Sequence, residues 1–159
     1  MFRIKQSICV LGLALLSVTA QAGTAHGPFG LGLIVGEPTG VSTIYNLDDS
    51  QSIDAGIGWS FTNSGKFHLH TDYLRHFHSI IDVDSGSVDM HYGLGARIKM
   101  EENNKKEDET YFGVRIPVGL DYNFENMPID IFLEAALIVD LAPETRADFN
   151  AGIGGRWYF

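Results

Sequence analysis

A period of two constrains this chain more than any other feature. From Gly27 onward, nearly every stretch between turn-forming residues alternates apolar side chains with small or polar ones. That is the mark of a β-strand, in which successive side chains point to opposite faces. Residues 53–61 put Ile53, Ala55, Ile57, Trp59 and Phe61 on one face and Asp54, Gly56, Gly58 and Ser60 on the other. Residues 88–99 set Val88, Met90, Tyr92, Leu94, Ala96 and Ile98 against Asp89, His91, Gly93, Gly95, Arg97 and Lys99. Residues 111–122 repeat the arrangement, with Val114, Ile116, Val118 and Leu120 opposed to Gly113, Arg115, Pro117 and Gly119. Globular strands average about 5–6 residues, whereas these runs match the roughly 9–11 residues of a tilted strand that crosses a membrane.

Turn chemistry divides the chain. Glu37-Pro38-Thr39-Gly40, Asp48-Asp49-Ser50, Thr62-Asn63-Ser64-Gly65, Asp84-Ser85-Gly86, the charged stretch 101–109, Glu125-Asn126-Met127-Pro128 and Ala142-Pro143-Glu144 make seven breaks, and so eight strands. The strands are expected near residues 28–36, 41–47, 52–61, 66–78, 87–100, 110–124, 129–141 and 148–159. The expected fold class is all-β, an eight-stranded antiparallel up-and-down transmembrane β-barrel formed by residues 23–159.

The polar face decides what the apolar face meets. A soluble sheet turns its apolar side inward and shows water a side rich in Lys, Glu, Ser and Thr. Here the polar side is crowded with glycine and a few ionisable groups, which suits the interior of an eight-stranded barrel, just wide enough to be filled by side chains. The apolar side then faces lipid. Aromatic placement agrees: Trp59, Phe61, Phe67, Phe112 and Phe149 collect toward the outer rim, and Tyr45, Tyr73, Phe77, Tyr122, Phe124, Trp157 and Phe159 toward the inner one. Two such girdles flank the apolar band of a membrane barrel.

The N-terminus reads as an export signal. Arg3 and Lys5 precede an apolar run from Ile8 to Leu16, and Ala20-Gln21-Ala22 supplies the small-residue cleavage pattern. Residues 1–22 are therefore expected to be a cleaved signal peptide, and Cys9 leaves with it, so the barrel carries no thiol chemistry. Nine basic residues then face 20 acidic ones, a formal charge of −11. That balance argues against nucleic acid as a partner. The expected partners are outer-membrane lipids and an extracellular protein at loop 101–109. The barrel is expected to be a monomer in the bacterial outer membrane.

The last ten residues, Asn150-Ala151-Gly152-Ile153-Gly154-Gly155-Arg156-Trp157-Tyr158-Phe159, resemble the terminal strand of outer-membrane barrels, with a terminal Phe and an aromatic two residues before it. The resemblance implies that Trp157 and Phe159 form the signal read by the barrel assembly machinery. In architecture the chain is similar to OmpX and the membrane domain of OmpA. Residues 32–45, with the hairpin Gly36-Glu37-Pro38-Thr39-Gly40, and Ile116-Pro117-Val118-Gly119-Leu120-Asp121-Tyr122 resemble small barrels of the BAPKO type.

Two constellations could carry chemistry. His68, His70, Asp72 and His76 share the inner face of the fourth strand, and His91, Arg97 and Arg115 point inward by the same parity. Imidazoles two apart on a strand can ligate zinc or copper when a neighbour supplies a third ligand. Space filling is the favoured reading, because His68 and His70 should lie opposite Gly58 and Gly56, so no metal or other cofactor is expected. Second, counting back from a turn centred near Thr145 sets Glu134 opposite Arg156, an expected salt bridge plugging the lumen. Neither constellation points to catalysis. In His76-Phe77-His78-Ser79, neighbouring side chains point to opposite faces, so His78 and Ser79 cannot pair without a bulge. The expected role is structural or interactive, with a narrow pore or small-ligand barrel as the alternative.

Overall fold

The computed structural model describes residues 27–60, 66–101 and 109–159. The leader 1–22, Phe61 and the inner part of loop 101–109 lie outside the described residues. Eight strands follow one another: β1 (Phe29–Glu37), β2 (Thr39–Asp48), β3 (Gln51–Ser60), β4 (Lys66–Val83), β5 (Gly86–Glu101), β6 (Glu109–Phe124), β7 (Ile129–Ala142) and β8 (Arg146–Tyr158). Each pairs antiparallel with its neighbour in sequence, and β1 closes on β8 through Gly30↔Tyr158 to Glu37↔Ala151. Closure pairs both edges of the sheet, so neither β1 nor β8 is left as an open edge. Among the described residues no helix is long and apolar enough to cross a membrane.

The alternation read from sequence becomes an inside and an outside. In β6, Tyr111, Gly113, Arg115, Pro117, Gly119 and Asp121 are buried, while Phe112, Ile116, Val118 and Leu120 are exposed. β7 does the same with Asp130, Phe132, Glu134, Ala136, Ile138 and Asp140 against Ile131, Leu133, Leu137 and Leu141. The molecule is inverted relative to a soluble barrel. Among the described residues its interior holds Arg97, Lys99, Arg115 and Arg156 with seven buried carboxylates, and its exterior is a coat of Leu, Ile, Val and aromatic residues. Such a distribution minimises free energy only where the outside is apolar and the inside supplies its own partners.

The strands differ in length. β1 to β3 have 9 to 10 residues and β4 to β6 have 16 to 18, so the wall is taller on the β4–β6 side. β4 runs to Val83, beyond the expected stop at residue 78, by way of a bulge between Phe77 and Ile81. Ser79 sits there at φ 51, its backbone N–H donating to Asp89 Oδ1 at 2.8 Å. That bulge resets the parity and accounts for the broken alternation of Ile80, Ile81 and Val83. Arg75 keeps its outward orientation between Tyr73 and Phe77. At the first hairpin Gly36 has φ 144, which favours glycine, and an added Cβ would meet the Gly152 Cα at 2.7 Å.

Aromatic pairs mark the two rims. Trp59 and Phe67 meet edge-on at 6.0 Å on the upper rim, and Phe77 stacks on Tyr92 at 5.6 Å on the lower. Ile44, Leu74 and Tyr158 form an apolar floor inside the lower end of the barrel.

Candidate functional site

The candidate site is the barrel interior, where charged side chains link adjacent strands and also reach across the lumen to non-adjacent ones. Arg156 on β8 donates through Nε to Asp130 on β7 at 2.9 Å and through a terminal nitrogen to Asp121 on β6 at 2.8 Å. Tyr158 donates to the same Asp130 at 2.6 Å, and Phe132 lies under the guanidinium with its ring centre 4.2 Å away. One level up, His91 faces Asp121 through Nδ1 at 2.5 Å and Glu134 through Nε2 at 3.3 Å. A ring with acceptors at both nitrogens satisfies both only as the imidazolium. Arg115 bridges Glu134, at 2.5 Å, and Asp72. Nearer the upper rim, Arg97 holds Asp140 through two bonds of 2.7 Å and Asp148 at 3.0 Å, and Lys99 joins Asp148 to Glu101 at 3.0 Å each.

The structure corrects the expected Glu134–Arg156 salt bridge. The β7–β8 turn is centred on Pro143, not on Thr145, so Glu134 lies opposite Gly152 and Arg156 lies opposite Asp130. A two-residue error in the centre moves the cross-strand partner by four. Glu134 takes Arg115 and His91 instead, and Arg156 takes Asp130 and Asp121.

The lumen cluster His68, His70, Asp72, His91, Arg97 and Arg115 is buried and inward. His68 pairs with Gly58 and His70 with Gly56, as the sequence suggests, and a Cβ on residue 56 would come within 2.8 Å of His70 Nε2. The cluster divides into three parts. Arg97 belongs to the upper network, while Asp72, Arg115 and His91 join the middle one. His68 and His70 meet edge to face at 5.2 Å with Nε2 and Nδ1, respectively, lacking hydrogen-bond partners among the described residues. Trp157 and Phe159 are exposed at the end of the closing strand.

Sequence reading left Asp54, Asp121, Asp130 and Asp140 without roles, although parity already put them inside with their cations. It also missed Ser52, whose Oγ lies 2.7 Å from His76 Nε2 on the neighbouring strand, with His76 Nδ1 4.0 Å from Asp121. That order of hydroxyl, imidazole and carboxylate does not make a nucleophile here. Ser52 is wholly buried, and the nearer carboxylate oxygen of Asp121 is occupied by His91. The bulge at Ser79 does not create a His78–Ser79 pair either, because His78 is bonded to Asp89 at 2.6 Å and to the Asp49 carbonyl.

No protein-family model and no curated protein matches the chain. Among solved structures, the barrel is similar to the N-terminal β-barrel domain of Pseudomonas aeruginosa OprF, with a TM-score of 0.61 at 16% identity, over 82% of this chain and 95% of that one. It is also similar to Neisserial surface protein A, NspA, with a TM-score of 0.50 at 12% identity, over 82% and 93%. The fold is that of an eight-stranded outer-membrane barrel. Neither likeness extends to the BAPKO type, which rests on its two sequence segments alone.

Proposed function

We propose that this chain is an integral outer-membrane protein whose lumen is a charge-braced plug, with a structural or interaction role and no catalytic one. In this reading residues 1–22 direct export and are removed, Trp157 and Phe159 carry the assembly signal, and outer-membrane lipids wet the apolar coat. Loop 101–109 then faces outside the cell, where an extracellular protein could dock. The observation that carries the reading is the bracing itself: Arg97, Arg115 and Arg156 each bridge two carboxylates across the interior. Confined charges of this kind must be matched to offset desolvation, and matching them fills the bore.

Location and closure are tested together by membrane fractionation with heat-modifiable gel migration. The protein should partition with the outer membrane and migrate faster unheated than boiled; a monodisperse species in detergent-free buffer would end the reading. The alternative, a narrow pore, is separated in planar bilayers. A plug predicts little conductance from the native barrel and more from Glu134→Gln, whereas steady conductance before mutation would favour the pore. Deletion within loop 101–109 followed by pull-down tests the docking role.

A further inference from the structure

At mid-height in the barrel, two carboxylates face each other across the β3–β4 ladder. Asp54 lies directly opposite Asp72, and His70 lies one inward position away, opposite Gly56. Like charges opposite one another on adjacent strands repel, and burial makes the repulsion worse. All three are removed from solvent, with Asp54 4%, His70 5% and Asp72 1% exposed. Each nevertheless has an unused donor atom: Oδ1 of Asp54, Oδ1 of Asp72 and Nδ1 of His70 have no hydrogen-bond partner among the described residues. Buried polar atoms are rarely left so. One potential ligand atom from each of the three lies within 4.8 Å of the other two.

We propose that Asp54, His70 and Asp72 form a binding site for one divalent transition-metal cation inside the lumen. Zinc takes imidazole nitrogen and carboxylate oxygen at about 2.0–2.2 Å, which in a tetrahedron sets ligand atoms about 3.4 Å apart. Closing the three donors from 4.8 Å onto an ion is a movement of side chains, not of strands. A nitrogen and two oxygens suit a first-row transition ion better than calcium or magnesium, which favour all-oxygen shells. Charge points the same way. Asp72 and Glu134 share the guanidinium of Arg115, and Glu134 also has His91, whereas among the described residues Asp54 has no ion pair, so a divalent ion supplies the positive partner that Asp54 lacks. Arg115 also donates to Asp72 Oδ2, orienting the carboxylate and leaving Oδ1 available.

Room for the site is built into the wall. A Cβ on Gly95 would meet the Asp72 Cα at 2.7 Å, and one on Gly56 would invade the His70 ring. The sequence suggested that Gly56 makes space for His70, and no metal was expected there. It did not set Asp54 beside His70 and Asp72.

The test is zinc binding to the untagged mature barrel refolded in detergent. Zinc is supplied both before and after refolding, so that a closed bore does not mimic a missing site. One equivalent should bind in at least one arm. Outer-ligand changes alone weaken metal sites by 10–100-fold, so His70→Gln and Asp54→Asn should each weaken this one by about tenfold or more. Cobalt substituted for zinc should give visible ligand-field absorption that both variants lose. A second readout is the order of melting temperatures. In chelator, Asp54→Asn removes an unpaired buried charge and should melt above the native barrel; in zinc the order should reverse. Absence of stoichiometric binding in both arms, or equal zinc affinity in the native protein and both variants, overturns the proposal.

Discussion

Glu134 and Arg156 do not touch; they are joined through two intermediaries, His91 against Glu134 at 3.3 Å and against Asp121 at 2.5 Å, and Asp121 against Arg156 at 2.8 Å. Arg115 holds the other end of Glu134 and ties in Asp72. Four strands, β4 to β7, are therefore cross-braced through Asp72, His91, Arg115, Asp121 and Glu134, with β8 attached by Arg156. A chain of this kind fails when one cation is lost, because the carboxylates left behind stay buried.

Arg115→Met should accordingly cost about 3–5 kcal/mol of unfolding free energy, the usual penalty for breaking a buried pair from one side. Urea unfolding of the refolded barrel in lipid vesicles measures it. A loss under about 1 kcal/mol, the size expected of a solvent-exposed pair, would mean that water reaches Asp72 and Glu134 and that the lumen is not a plug.

Glycine at position 119 holds His91 in place. An added Cβ there would lie 2.5 Å from His91 Nε2 and 2.6 Å from the Leu133 carbonyl oxygen, and the latter is backbone and cannot give way. Gly119→Ala should destabilise the barrel by about 1–3 kcal/mol, the range for overpacking a full interior. Gly155→Ala is the control, since its Cβ meets nothing nearer than 3.3 Å. The two variants are compared by the same urea unfolding, and equal losses would show that backbone freedom, and not the His91 contact, sets the cost.

What could be read from sequence follows from what is local. Strand number, turn positions and the two faces depend on a period of two that any short window displays, and the eight strands appear where expected. Register across a turn is not local. Placing the β7–β8 turn at Thr145 gave Glu134 the wrong partner, while correct pairing of His68 with Gly58 across β3 and β4 implied Asp54 opposite Asp72 without that consequence being visible in composition or spacing. The extension of β4 to Val83 was hidden because a left-handed Ser79 breaks the parity. Which cation serves which carboxylate depends on strands up to 51 residues apart, as in Arg97 with Asp148, and no local pattern encodes that.

At the lower end, beyond the Phe77 ring, His78 lies outside the membrane-spanning part of β4. Partial burial works against a charged ring there, but hydrogen bonds to Asp89 and to the Asp49 carbonyl outweigh it and raise its pKa above 6.5. A raised histidine pKa contributes stability that is complete below the unfolded value and is lost as pH rises through the folded value. The β4–β5 tip should therefore loosen above neutrality, seen as faster amide exchange near Ser79 after correction for intrinsic base catalysis. The effect is modest, because half of the ring is exposed. An NMR titration of His78 should place its pKa above 6.5 in the native barrel and lower in Asp89→Asn; equal values would show that Asp89 does not hold the charged ring.

Depth dependence on the outer face separates lipid from any other apolar surroundings. Leu133 and Leu141 are both exposed on β7, but Leu133 pairs with Leu120 and Ile153 in the middle of the wall, whereas Leu141 sits one residue from the upper end of the strand. Against acyl chains, an arginine costs about 2–4 kcal/mol at the midplane and about 0–1 kcal/mol near the interface, where it reaches headgroups. Leu133→Arg should thus destabilise the barrel in vesicles by several times as much as Leu141→Arg. In detergent-free buffer the same pair would be indistinguishable if water bathed both positions. A protein partner covering the whole face would penalise both alike, so a steep difference between two equally exposed leucines identifies a bilayer.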